Sequence, residues 1–117
     1  MPYIGKVALP APTLDHKLKA FDATEELILI GQDHAFVAKG SDIIGILCLD
    51  HLLEQYKKAD ISGVNVEEFV EPIFYVNEYD YQRDVARFMN EKLIEHIAVK
   101  NKAGNFVGIA STKQLSE

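Results

Sequence analysis

The stretch His96-Ile97-Ala98-Val99-Lys100-Asn101, followed after a glycine-bearing break by Asn105-Phe106-Val107-Gly108-Ile109, decides how this chain reads. Its two apolar runs are short and rich in β-branched and aromatic residues. Asn101 to Gly104 between them is polar with a glycine, so the whole predicts an antiparallel hairpin. The same signature occurs upstream, where Ala35-Phe36-Val37-Ala38 and Ile43-Ile44-Gly45-Ile46-Leu47 flank Lys39-Gly40-Ser41-Asp42. Aligned on each other, Val37 meets Val99. With one extra residue in the second turn, Ile43-Ile44-Gly45-Ile46 then meets Phe106-Val107-Gly108-Ile109, and Leu52 meets Leu115. That is an internal repeat of about 60 residues.

Working outward, Leu14, Leu18 and Phe21 fall at i, i+4 and i+7 and predict a helix. Thr13 would cap it after the extended Pro10-Ala11-Pro12, and it would run to about Thr24. Periodicity leaves open whether Leu27-Ile28-Leu29-Ile30 continues that helix or begins a strand. Leu49, Leu52, Leu53 and Tyr56 mark a second amphipathic helix, with Lys57-Lys58 suiting the negative end of its dipole. Ala59 to Val64 has the composition of a linker. Beyond it, Asn65 is expected to cap a turn through Val66 to Val70, Pro72 to end it, and Ile73-Phe74-Tyr75-Val76 to form a strand. Asp80 would then cap a helix whose stripe is Tyr81, Val85, Phe88 and Met89.

A unit this small leaves a wide apolar face bare, so two such units stacked about a pseudo-twofold axis make the economical core. The boundary is expected near residue 60, giving repeats 1–60 and 61–117. After Ile109, the segment Ala110 to Glu117 gives the second repeat only one or two turns of its last helix. Apolar surface left by that short helix would be covered by a partner subunit, a following domain or the segment Tyr3 to Leu9, and a homodimer is expected on that ground.

At 117 residues and 13.1 kDa the chain suits one compact domain or two small halves. Its formal net charge of -6 has the wrong sign for gripping a phosphate backbone, so nucleic acid is not an expected partner. Cys48 is the single cysteine, which excludes an intrachain disulfide and fits a reducing cytoplasm. Met1 to Lys6 resembles neither a signal nor a transit peptide, and no apolar run approaches the roughly 20 residues that cross a bilayer.

Asp50-His51 lacks an accompanying nucleophile signature and reads as the start of a surface helix. His16, His34, His51 and His96 show no recognised zinc spacing, so no metal site is expected. Tyr75, Tyr79 and Tyr81 lie between a strand and a helix, where rings are expected to sit in a core with wet hydroxyls, stacking on a base being the alternative. Arg83, Arg87, Lys100 and Lys102 read as solvated faces that are also placed to supply local charge for a phosphate.

The segment from Ala86-Arg87-Phe88-Met89 through His96-Ile97-Ala98-Val99-Lys100-Asn101 to Phe106-Val107-Gly108-Ile109-Ala110-Ser111 resembles the core of a cystathionine β-synthase (CBS) domain. Ala35-Phe36-Val37 and Ile43-Ile44-Gly45-Ile46 are a looser copy. The resemblance covers nearly the whole chain. It implies a tandem CBS pair, or Bateman module: an α+β fold of two βαββα-type repeats. It further implies a non-catalytic regulatory role, homodimerisation, and binding of AMP, ADP, ATP or S-adenosylmethionine between the repeats, in control of an attached domain or a partner protein.

Better adenosine sites of the family carry Gly, then Ser or Thr three residues on, then a ribose-binding Asp three further. Here Gly108 and Ser111 match, but Gln114 replaces the Asp; in the first half Gly45 matches, while Cys48 and His51 replace the hydroxyl and the Asp. Together with Tyr75, Ile97 and Val99 in the second repeat and Val37 in the first, these are the ligand residues the resemblance implies. Hydrogen bonds to a charged group are worth about 1.5–3 kcal/mol against about 1 for neutral ones, so weaker or altered binding is expected. A ligand-free dimerisation module is the alternative reading.

Overall fold

A computed structural model describes residues 2–115. The fold is α+β, with two three-stranded sheets in the orders β1-β2-β3 and β4-β5-β6. Its elements are β1 (Thr13–Asp15), α1 (Ala20–Ile30), β2 (His34–Lys39), β3 (Asp42–Cys48), α2 (Leu49–Lys58), β4 (Tyr75–Asn77), α3 (Gln82–Lys92), β5 (His96–Lys100), β6 (Phe106–Ser111) and α4 (Thr112–Leu115). Two 3-10 turns, Ile4–Lys6 and Val66–Phe69, complete the list.

Contacts divide the chain into two compact units. The first is Ala11–Ile73; the second joins the segment ending at Pro10 to the segment from Phe74 onward. Both therefore cross the boundary expected near residue 60.

In the first unit β1 runs parallel to β2, with Leu14 beside Val37, and β2 pairs antiparallel with β3, with Val37 opposite Gly45. In the second, Val76 lies beside Val99 and Val99 opposite Gly108. Each hairpin carries an irregularity at the same place, after Val37 and after Val99. The hairpin alignment read from sequence is thus the observed pairing.

The first helix begins later than expected. Thr13 does not cap a helix, and Leu14 belongs to strand β1. The chain turns over His16 to Lys19 and α1 begins at Ala20, so Leu27 to Ile30 continue the helix. The stripe Leu14-Leu18-Phe21 combined residues of a strand, a turn and a helix. Leu14 instead pairs β1 with β2 and packs among Leu27, Val37 and Leu47.

Asn65 is the N-cap residue of the Val66–Phe69 turn, as expected, but its side chain makes no capping bond and Oδ1 accepts from Lys19 Nζ at 2.8 Å; Asp80 is not a cap, and its Oδ2 accepts from the backbone N–H of Asn77 at 3.0 Å. The N-cap of α3 is Tyr81. Residues beyond Leu115, where the last helix was expected to continue, lie outside the described residues.

Each unit buries one face of its sheet under its helices. The core of the first includes Leu14, Ala23, Leu27, Val37, Leu47 and Leu52. That of the second is Ile4, Val85, Met89, Ile97, Val99 and Ala110. Ile4 comes from the N-terminal segment, which is strapped to the unit by backbone hydrogen bonds from Ile4 N–H to Asp80 O and from Gly5 N–H to Glu78 O. Val66 is its counterpart in the first unit, with bonds from Val66 N–H to Leu18 O and from Glu67 N–H to His16 O. Burying such a side chain contributes about 1.5–3 kcal/mol. The segment Tyr3 to Leu9 is therefore the cover over the short last helix of the second unit: Val7, Ala8 and Leu115 pack on the same core.

Candidate functional site

The junction of β6 and α4 brings Ser111 and Gln114 together. Ser111 closes β6 opposite His96, and the N–H of the next residue, Thr112, donates to Glu95 O at 3.0 Å. Gln114 Oε1 accepts from the Ser111 backbone N–H at 2.9 Å and lies 3.5 Å from Ser111 Oγ. A Ser at the N-cap position and a Gln three residues on that reaches back to its N–H is one half of a capping box. This explains locally why a glutamine stands where the family pattern has Asp: its carbonyl oxygen is occupied by the backbone, while its amide NH2 remains a donor.

In the first unit the corresponding junction is Cys48 and His51. Leu49 N–H donates to Asp33 O at 2.8 Å, the same wiring as Thr112 to Glu95. Cys48 is buried, and burial pushes its thiol pKa up against the opposing pull of the His51 and Asp50 backbone N–H groups; the charges of Asp50 and Glu71 raise it further. The His51 ring stands edge-on to Phe69 at 6.4 Å.

The glycines of the two motifs have a packing reason. A Cβ on Gly108 would lie 2.7 Å from Leu9 O, and one on Gly45 would lie 2.5 Å from Glu71 O. At each, an extended segment crosses the third strand and pairs with the residue after the glycine: Leu9 with Ile109, Glu71 with Ile46. Only a residue without a side chain admits the crossing.

The remaining implied residues fall on different faces. Ile97, Val99 and Val37 are fully buried in the helix-packed cores of their units. Their side chains serve packing, so a ligand would meet at most their backbone. Tyr75 pairs with Ala98, on the other face of its sheet, and is exposed. Lys100 Nζ lies 3.8 Å from the Tyr75 ring centroid and 4.8 Å from that of Phe106, and the two rings are edge-to-face at 6.5 Å. Lys102 Nζ lies 5.4 Å from the Tyr79 ring.

Sequence reasoning singled out these lysines and Tyr75 and Tyr79 but not their pairing, because Tyr75, Lys100 and Phe106 meet only through sheet register. The expected burial of the tyrosines also fails. Tyr79 and Tyr81 remain half in water; Tyr3 of the N-terminal segment stacks on Tyr81 and stands edge-on to Tyr79, both at 5.6 Å.

A scan against protein-family models finds no match, and a search of curated proteins finds none. Among solved structures the likenesses are strong in shape and low in identity. The CBS domain of a bacterial CNNM/CorC family Mg2+ transporter, in complex with ATP, superposes with a TM-score of 0.79 at 16% identity, covering 99% of this chain and 85% of that one. A conserved CBS domain protein of unknown function from Thermoplasma acidophilum gives 0.79 at 21% identity, over 97% and 67%. CBSX2 in complex with AMP gives 0.70 at 18% identity, over 99% and 94%. With a sheet, crossing segment and helices repeated in each unit, and these likenesses spanning nearly its whole length, the chain has the fold of CBS domain proteins.

Proposed function

We propose that the chain is a tandem CBS pair that works as a non-catalytic cytoplasmic sensor. It binds an adenosine-containing ligand, AMP or ATP first and S-adenosylmethionine as a further candidate. It relays that binding to an attached domain or partner protein, and it self-associates as a homodimer. The supporting observation is the likeness over nearly the full chain to CBS structures that contain AMP or ATP. Ser111 supplies the hydroxyl of the ligand motif, the Gln114 amide a donor, and Lys100 a cation for phosphate. The ligand acts only through a difference in affinity between two arrangements of the protein; equal affinity for both transmits nothing.

The alternative, a ligand-free interaction module, draws support from the capping bond that engages Gln114 Oε1 and from Cys48 and His51 at the other junction. Calorimetric titration of the 117-residue chain with AMP, ATP and S-adenosylmethionine separates the two. Saturable heat with at least one supports the sensor, and silence with all three supports the interaction module.

A further inference from the structure

Three tyrosines of the second unit meet where β4 leads into α3. Tyr3 belongs to the N-terminal strap, and Tyr79 and Tyr81 to the turn before α3. Tyr3 and Tyr81 lie nearly parallel, their planes 13° apart and their centroids 5.6 Å apart, whereas Tyr79 stands at 90° to Tyr3. Tyr3, Tyr79 and Tyr81 are exposed by 40%, 51% and 43%, so each is open to an oxidant in solution. Backbone fixes the parallel pair from both sides. Tyr3 and Tyr81 are partners in an antiparallel bridge. Gln82 donates twice to the strap, from its N–H to Pro2 O and from Nε2 to Tyr3 O, both at 3.0 Å. Ile4, the next residue of the strap, is fully buried in the core of the unit. Side chains opposite each other in such a pair start about 4.5–5.5 Å apart, so the two rings are held as neighbours before any reaction.

We propose that Tyr3 and Tyr81 form an oxidative modification site, where one-electron oxidation of both phenols joins the rings as a dityrosine and clamps the strap to the unit. A peroxidase using hydrogen peroxide takes one electron and the hydroxyl proton from each phenol. The two phenoxyl radicals carry spin on the carbons ortho to oxygen, and one such carbon from each ring forms the new carbon–carbon bond. The hydrogen displaced from each of those carbons moves to its own phenol oxygen. The peroxide takes up the two hydrogens removed at the start and leaves as two waters, so the product is the chain short of two hydrogen atoms.

The surroundings select this pair. A cation over a ring is attracted by the ring's electrons, so drawing an electron from that ring is harder. Lys100 Nζ lies 3.8 Å from the Tyr75 ring centroid and Lys102 Nζ 5.4 Å from that of Tyr79. Among the described residues no cation lies over Tyr3 or Tyr81. Tyr79 also meets Tyr3 edge-on, which sets its ring across the partner and not along it. The new bond closes a long loop of chain between Tyr3 and Tyr81. A cross-link of that kind stabilises mainly by restricting the unfolded chain, as a disulfide does, and it keeps the strap that buries Ile4 in place.

Oxidation of the full 117-residue chain, kept dilute, by a peroxidase and hydrogen peroxide tests this. The expected product has the mass of one chain less two hydrogens, shows dityrosine fluorescence, and yields a proteolytic fragment that joins Tyr3 to Tyr81. Tyr3→Phe and Tyr81→Phe keep the rings and are expected to lower its yield about tenfold or more, while Tyr79→Phe leaves it unchanged. Circular dichroism verifies that each variant is folded. A linkage through another tyrosine, an equal yield in Tyr3→Phe, or coupling only between chains overturns the pairing. So does a chain left unlinked in a reaction where free tyrosine couples. The cross-linked chain is expected to unfold at a higher urea concentration than the untreated one, and an equal midpoint overturns the clamp. None of these results touches the nucleotide reading, which calorimetry decides separately.

Discussion

Helix α1 ends on Gly31 and helix α3 ends on Leu93, and both residues sit in the left-handed conformation, at φ 71 and φ 57. The hydrogen bonds around them correspond one for one. Gly31 N–H donates to Ile28 O and Gln32 N–H to Leu27 O in the first unit, as Leu93 N–H does to Asn90 O and Ile94 N–H to Met89 O in the second. This is one Schellman cap built with two residues, and only the glycine adopts it without a steric cost. The units share backbone wiring to this degree and diverge in side chains: half a capping box against a cysteine and histidine, a leucine against a glycine at the helix end. Fold is held by the features they share.

The comparison breaks most easily at the crossing points. Gly45→Ala places a Cβ against Glu71 O and is expected to cost about 3 kcal/mol, with Gly108→Ala close behind at about 2, because backbone and not a yielding side chain must move. Urea melts would show both, with Gly63→Ala, which meets nothing, as the unchanged control. Equal stability of all three would mean the crossing segments are not held as described.

The caps give the next effect, with opposite signs. Gly31→Ala should destabilise by about 1 kcal/mol, whereas Leu93→Gly should stabilise by a similar amount, since the leucine is exposed and buries nothing in return. Thermal melts moving in the same direction for both would contradict the shared cap.

Gln114 sharpens the comparison at the site. Gln114→Asp restores the carboxylate of the family pattern and is expected to tighten AMP binding about tenfold, the equivalent of about 1.4 kcal/mol. Gln114→Ala removes the bond to the Ser111 N–H and should cost at most about 1 kcal/mol of stability. Calorimetry and denaturation separate the two effects.

The smallest effect is electrostatic. Asp60 accepts hydrogen bonds from the Ser62 hydroxyl and backbone N–H, which hold its carboxyl below the ordinary value. Because the folded-state pKa is depressed, this contribution is present above the unfolded pKa and is lost as pH falls through the folded one. Asp60→Asn should flatten that acid limb slightly, lowering stability a little at neutral pH and leaving it unchanged below the folded pKa, in denaturation curves taken across pH.

Both hairpins, α2, and the alignment of Val37 with Val99 and Gly45 with Gly108 were legible because hairpins are local: two apolar runs and a glycine turn state their own pairing. Strand β1 was not, because Thr13 to Asp15 becomes a strand only by pairing with β2 more than twenty positions on. Nor was the crossing of Leu9 and Glu71, the physical reason for both motif glycines. Gly108, Ser111 and Gln114 were found from the motif, but what Gln114 does there depends on a three-residue reach of its side chain that spacing alone leaves undecided. Lys100 was noted for its charge, yet its placement between Tyr75 and Phe106 comes from three strands meeting.

The most direct test of the sensor account is an amide chemical-shift titration of the 15N-labelled chain with AMP. The account predicts saturable shifts that include Gly108, Ser111 and Gln114 and diminish when Ser111 is replaced by alanine. Saturation with those amides unmoved, or no shift anywhere, would contradict it.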